Sequence, residues 1–271
     1  MLASDGGGCR SFMQYENIIF SVKDNIALIQ INRPKAYNAL NSAVNREILS
    51  ALDEIDADKS IRVLILTGNE KAFAAGADIG EMAEAGPNTA REMCKTAVEI
   101  NDRLESMAIP TIAAVNGLAW GGGGEMALAC DFRIGGANTS FKFPEVSLGI
   151  IPGANGTQRL LALTGPAKAR EIVMLCQTIK GEEAFKLGLL TRLSDDNDVL
   201  NEAYKLADEI VKMPGLALAA AKRAICAGML GTIADGKKAE CFEVCMLFDT
   251  HDQKEGMAAF AEKRKPECTN S

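Results

Sequence analysis

The chain carries one histidine, His251, in 271 residues. A metal site built from several histidines of one chain is thereby excluded, and a Ser-His-Asp triad would have to use that residue. Its setting, LFDTHDQKEG, is polar and reads as a solvated surface position. Aromatic residues are also sparse at 5%, so Ala, Ile, Leu, Val and Met must fill the interior. No apolar run approaches the roughly 20 residues that span a bilayer. The opening MLASDGGGCRSF lacks the apolar segment of a secretory signal. Positive charge is in deficit, with 29 Lys and Arg against 36 Asp and Glu, a net charge of −7. That balance excludes nucleic acid and an anionic membrane as general partners. An anionic ligand needs a local cluster of Lys and Arg.

The eight cysteines (Cys9, Cys94, Cys130, Cys176, Cys226, Cys241, Cys245, Cys268) form no CxxC pair. A chain this long, 48% hydrophobic, needs no disulfide staples. Cys241 and Cys245 share a helix face, but no other ligand-like cluster lies near them. They read as buried thiols, and no metal site is expected. Cysteine usage points to a cytoplasmic protein with reduced thiols.

Residues 1–12 read as a disordered leader or an upstream extension. A mixed β/α portion over 13–197 precedes an all-helical region over 198–271. Strands are predicted at 17–22 and 26–32, with a turn at Lys23-Asp24-Asn25. Val44, Ile48, Leu52 and Ile55 recur at helical spacing over 42–55, with Asn41 or Ser42 as N-cap. RVLILTG (62–68) and TIAAV (111–115) are continuous apolar runs of the kind that form buried strands. Helices are predicted over 89–107 and 122–130, and beyond Gly156 the pattern is helical. Strand-strand-helix recurs without an obvious sequence repeat.

The stretch AWGGGGEMALACDF (119–132) sets four glycines before a glutamate in an otherwise apolar run. Burying Glu125 is costly unless something pairs with it or uses it. Gly122 to Ala127 also satisfies G-x-G-x-x-A, with Glu145 about 20 residues on, as in a dinucleotide-binding fold. Against that reading, NGLAW stands between the preceding strand and the glycines. Pro144 also suits a central strand poorly. The alternative is a helix N-terminus whose unpaired amides bind an oxygen as it becomes negative, with Glu125 one turn in. KAFAAGADIGEM (71–82) is a second small-residue turn, with Asp78 able to act as N-cap. Each turn alone reads as a tight connection after a buried strand, whereas together they suit one carbonyl oxygen. Glu145 opens FPEVSLGIIPGANGTQRL (143–160) and reads equally as a helix cap or solvated residue. Were the two glutamates to share a pocket, one would hold a proton while the other stayed a base.

RPKAYNAL, KAFAAGAD, AAVNGLAWGGGGEMALACD, FPEVSLGIIPGANGTQRL and FAEKRKPE occur in order from about residue 15 to 267. Together they resemble the crotonase (enoyl-CoA hydratase/isomerase) superfamily. The resemblance implies an α/β crotonase fold, a spiral of β-β-α units with a C-terminal helical region, assembled as a homotrimer or a dimer of trimers. It implies reversible hydration of a trans-2-enoyl-CoA thioester, with no cofactor and no metal. By resemblance, Glu125 and Glu145 are the catalytic pair, the amides of Ala77 and Gly122 form the oxyanion hole, and Gly153 positions the water. Lys35 and the Ala36 backbone match the CoA-contacting loop beside Arg33. Ala75, Asp78, Ile79, Trp120 and Phe143 fall at substrate-binding positions, and Lys263 to Lys265 at a nucleotide-end contact. Departures are Gly80 where many hydratases have Lys, Phe143 for Gln, Asn155 for Gly, and the bulky Trp120. Phe143 and Trp120 are expected to narrow the acyl pocket. Isomerisation, hydration of a cyclic dienoyl-CoA and a non-catalytic scaffold are the alternatives.

Overall fold

Ile18–Lys23 (β1) and Ile26–Ile31 (β2) pair antiparallel around Asp24 and Asn25, both at positive φ, as a two-residue hairpin turn requires. These and the following elements belong to a computed structural model that describes residues 14–271. The expected leader at 1–12 and Cys9 lie outside the described residues. Ser42–Ala57 (α1) begins where the Asn41 side chain accepts the Val44 amide at 2.9 Å. The helix buries the stripe Val44, Ile48, Ala51, Leu52 and Ile55. Each larger aliphatic side chain buried this way contributes about 1.5–3 kcal/mol.

The next three turns of chain share one plan. Val63–Thr67 (β3) is followed by Ala72–Ala74 (β4), the short Ile79–Ala83 (α2) and Pro87–Ser106 (α3). Thr111–Val115 (β5) is followed by Leu118–Trp120 (β6) and Gly122–Ala129 (α4). Phe132–Gly135 (β7) is followed by Ser140–Lys142 (β8) and Gly156–Met174 (α5), the last kinked at Gly165-Pro166. The chain ends with Thr178–Lys180 (β9), Gly181–Lys186 (α6), Arg192–Leu193 (β10) and four helices, Val199–Val211 (α7), Gly215–Leu230 (α8), Ile233–Leu247 (α9) and His251–Glu262 (α10).

Each unit gives its first strand to a six-stranded sheet, ordered β1-β2-β3-β5-β7-β10, and its second to a four-stranded sheet, ordered β4-β6-β8-β9. From β2 to β10 the large sheet is parallel. Its strands alternate between two apolar layers, as period-2 side chains must. Leu64, Leu66, Ala113 and Val115 face α1, α3 and α4, while Val63, Ile65, Ile112 and Ala114 face α7. α7 thus covers the sheet's second face, and its Val199, Ala203, Leu206 and Ile210 are buried there. α8 is tied in by Lys222, whose ammonium donates to Asp131 at 2.7 Å and to the Leu104 carbonyl at 3.0 Å.

Several expectations require correction. The region after Gly156 is not wholly helical, since β9 and β10 complete the two sheets. NGLAW does not separate the glycines from a strand, because Leu118–Trp120 is itself β6. Cys241 and Cys245 are exposed on α9 rather than buried. Two- and three-residue strands carry too few side chains for a period to register in sequence. Among the described residues, no single helix is long and apolar enough to cross a membrane.

Candidate active site

The four glycines have separate physical roles. Gly121 carries φ 46° and ψ −125°, a backbone closed to side chains, and its amide donates to the Lys142 carbonyl at 2.8 Å. Gly123 presses against β4, where a Cβ would lie 2.2 Å from the Ala74 carbonyl oxygen. Gly124 packs over the Phe143 ring. Gly122 is the first helical residue of α4, so its amide has no acceptor within the helix. It is also the one residue of 121–130 that keeps partial exposure.

Ala77 lies opposite that amide. Leu40 bridges to it, with the Leu40 amide bound to the Gly76 carbonyl and the Asp78 amide bound to the Leu40 carbonyl. In such a parallel bridge the amide of the central residue, Ala77, points away from Leu40. A Cβ placed on Gly122 would sit 3.7 Å from the Ala77 nitrogen. Two small-residue turns therefore bring two backbone amides to one place.

Glu125 is 3% exposed, and its Oε1 accepts the amides of Ala154 and Gly156, both at 2.8 Å. Gly156 opens α5, so this carboxylate sits at a helix N-terminus, where the dipole favours negative charge. Burial raises the Glu125 pKa, while the two amides and the Arg159 guanidinium pull it back. Ala154 and Gly156 were missed in the sequence. The available signal was a Pro/Gly loop entering a helix, which does not say which acid its amides meet.

Glu145 belongs to a 3-10 turn over Pro144–Leu148. Its Oε2 is buried without a hydrogen-bond partner. Burial first, and the Glu125 charge as a lesser cause, push the Glu145 carboxyl up to about 7. Its burial excludes the solvated reading of Glu145, while its carboxylate still meets its own amide in the first turn. The structure thus joins one carboxylate steadied by backbone donors to a second, poorly solvated one.

The remaining positions divide. Gly153 is exposed beside Ala154, and a Cβ there would lie 2.9 Å from the Cys94 sulfur. Lys35 is exposed and Ala36 half-buried, on the loop whose Tyr37 carbonyl accepts the Ala75 amide at 3.1 Å. Arg33 is turned inward, its guanidinium bound to Asp78 at 3.1 Å and to the Ala39 carbonyl at 2.6 Å. Asp78 caps α2 as expected, accepting the Gly80 amide at 3.0 Å. Ile79 beside it is exposed. Phe143, expected to narrow the acyl pocket, is fully buried beneath α4 and is a core residue instead. Trp120 is half-buried, its indole donating to the Ser140 hydroxyl at 3.2 Å beneath the Lys142 ammonium, 5.1 Å from the ring centre. Its ring is therefore engaged by β8. Of the terminal basic run, Arg264 is paired with Glu255 and Glu262, and Lys263 and Lys265 are exposed. His251 is exposed, 3.1 Å from the Thr269 hydroxyl.

The dinucleotide reading fails on topology rather than spacing. β6 pairs with β4 and β8 in the small sheet, and Gly121 lies against the Glu145 carboxylate. Residues 21–271 match the family described as enoyl-CoA hydratase/isomerase. A crotonyl-CoA hydratase of Syntrophomonas wolfei is 43% identical over 256 residues, which are 93% of this chain and 98% of that protein. A short-chain-enoyl-CoA hydratase of Clostridium acetobutylicum is 42% identical over 258 residues, 94% of this chain and 98% of its own length. Among solved structures, an enoyl-CoA hydratase subunit I of Geobacillus kaustophilus has a TM-score of 0.90 at 39% identity, covering 96% of this chain and 100% of that one. A match that runs from within β1 to the last residue, over a shared fold, makes this chain a member of the enoyl-CoA hydratase/isomerase, or crotonase, family.

Proposed function

We propose that the chain catalyses the reversible addition of water across the C2–C3 double bond of a trans-2-enoyl-CoA thioester. The observation that carries this reading is the pair of differently held carboxylates, Glu125 bound by two amides and Glu145 left with a bare buried oxygen. The thioester carbonyl oxygen accepts hydrogen bonds from the Ala77 and Gly122 amides as it takes on enolate charge. One such donor is worth about 10²–10³ in rate. The Glu125 carboxylate removes a proton from water as the water oxygen bonds to C3, with the Gly153 amide helping to hold that water. Both backbone donors address Oε1, so Oε2 is the oxygen assigned to the water. The protonated Glu145 carboxyl gives its proton to C2. Dehydration of the 3-hydroxyacyl thioester retraces these steps. The sequence requires no cofactor, because CoA arrives as part of the substrate.

The reading is supported by the relatives above, whose names are hydratases of crotonyl-CoA and of short-chain enoyl-CoA. It extends to CoA contacts at Lys35, Ala36, Ala75, Asp78 and Ile79. It also extends to a cytoplasmic homotrimer or dimer of trimers, supported by free thiols at the described cysteines and by exposed Leu230, Ile233, Phe242 and Phe260 on α8–α10. The test is loss of enoyl-thioester absorbance when purified protein meets crotonyl-CoA, with the product identified by mass. A 3-hydroxyacyl-CoA is expected. A product of unchanged mass with a shifted double bond assigns isomerisation, and no turnover at any acyl length overturns the enzymatic reading.

A further inference from the structure

The loop that holds Glu125 is itself held from behind. Arg159, on the first turn of α5, is 6% exposed. Its guanidinium donates to the Ala154 carbonyl at 3.2 Å and to Glu105 of α3 at 2.9 Å, and lies 3.5 Å from Asp102. Asn101, also on α3 and buried, donates to the same Ala154 carbonyl at 3.0 Å. Asn155 donates to Asp102 at 3.1 Å. Ala154 is thus gripped through its carbonyl by two side chains while its amide grips the Glu125 carboxylate.

We propose that Arg159, seconded by Asn101, is a positioning residue for Glu125 and acts through the Ala154 main chain. The carbonyl has two donors, both from buried side chains, so packing fixes the Ala154–Asn155 peptide plane and, through the Ala154 Cα, restrains the amide on its other side. Arg159 also brings a full positive charge to a carboxylate that has lost its water. The charged groups acting on Glu125 are Glu145 from the 3-10 turn and Arg159 from α5, with Asp102 and Glu105 of α3 behind the guanidinium. Arg159 is the one cation among them. A residue that merely tied α3 to α5 would stabilise the fold and leave the ionisation of Glu125 alone.

The activity readings below rest on the hydratase proposal, whereas the titration readings do not. Arg159→Gln combined with Glu105→Gln replaces the ion pair by a neutral hydrogen-bonded pair of similar shape. Carboxyl carbon NMR, with Glu125→Gln to assign the resonance, follows the Glu125 midpoint. In the double variant that midpoint is expected to rise, because the guanidinium charge that lowers it is gone. The acid limb of kcat/KM should move up with it, while KM changes little. Arg159→Lys should restore the midpoint but not the full kcat, and Asn101→Ala should lower kcat and raise the midpoint less than the double variant does. A folded double variant whose Glu125 midpoint is unmoved overturns the proposal. If the double variant does not fold, Asn101→Ala decides, and an unchanged kcat overturns it. A wild-type chain that hydrates nothing yet shows the expected shift sinks the hydratase reading and leaves the positioning role standing.

Discussion

A Cβ on Gly121 would lie 2.7 Å from Glu145 Oε1, so the bare backbone of the α4 turn is the floor on which the second carboxylate rests. Gly121→Ala places a methyl in that contact and forces a side chain into φ 46°. The strained backbone alone costs about 1–3 kcal/mol. Urea unfolding should show a loss of that order. Turnover of the folded fraction should drop further than stability accounts for, because Glu145 is displaced from C2.

Glu125→Gln and Glu145→Gln should each leave the circular dichroism spectrum intact and lower kcat on crotonyl-CoA by about 10²–10⁴, the usual share of a general acid or base. KM should change little, since neither side chain is assigned to CoA. A near-normal rate in either variant reassigns the roles.

Glu145 also makes stability depend on pH, with a definite sign. Its carboxyl rises from 4.5 to about 7 on folding, so between those values the folded chain keeps a proton that the unfolded chain has released. Stability from this group is therefore complete below about 4.5 and is lost as pH climbs through about 7, a decline on the order of 3 kcal/mol. Glu145→Gln lacks the term. In urea titrations it should match wild type near pH 4 and exceed it by up to about 3 kcal/mol near pH 8. The rate should follow a bell, failing above about pH 7 as Glu145 loses its proton and at low pH as Glu125 gains one.

Phe143→Ala should act on the core rather than the substrate. The ring is fully buried under Gly124, so its removal should cost about 3–5 kcal/mol. Rates across a series of acyl-CoA lengths should fall together in proportion to the folded fraction. A changed preference for acyl length would return Phe143 to the pocket wall.

Lys222→Met should destabilise by about 3 kcal/mol in urea, because it strands Asp131 and two main-chain carbonyls that the ammonium now satisfies. Km and kcat of the folded protein should be unaffected, since this junction anchors α8 rather than the glutamates.

Local signals carried a definite part of this protein. The Asn41 cap, the stripe of α1, the Asp24-Asn25 turn and the apolar runs of β3 and β5 lie within a few residues of the groups they organise, so their periods and turn residues are visible in one dimension. The glycine run, the two glutamates and the AAGAD turn likewise pointed to a site, because few other uses justify a carboxylate in an apolar helix. Tertiary structure alone decided which amides hold Glu125, as Ala154 and Gly156 lie 29 and 31 residues away along the chain. It also decided that Arg33 turns in to Asp78 and that Phe143 belongs to the core. The four-stranded sheet exists only because three-residue strands meet partners from other turns of the spiral, and no such segment is long enough to declare a period by itself. Residue types supplied two carboxylates and a glycine-opened helix start with an unpaired amide. Burial and long-range packing decided how each glutamate is held, Glu125 by two amides and Glu145 with a bare buried oxygen.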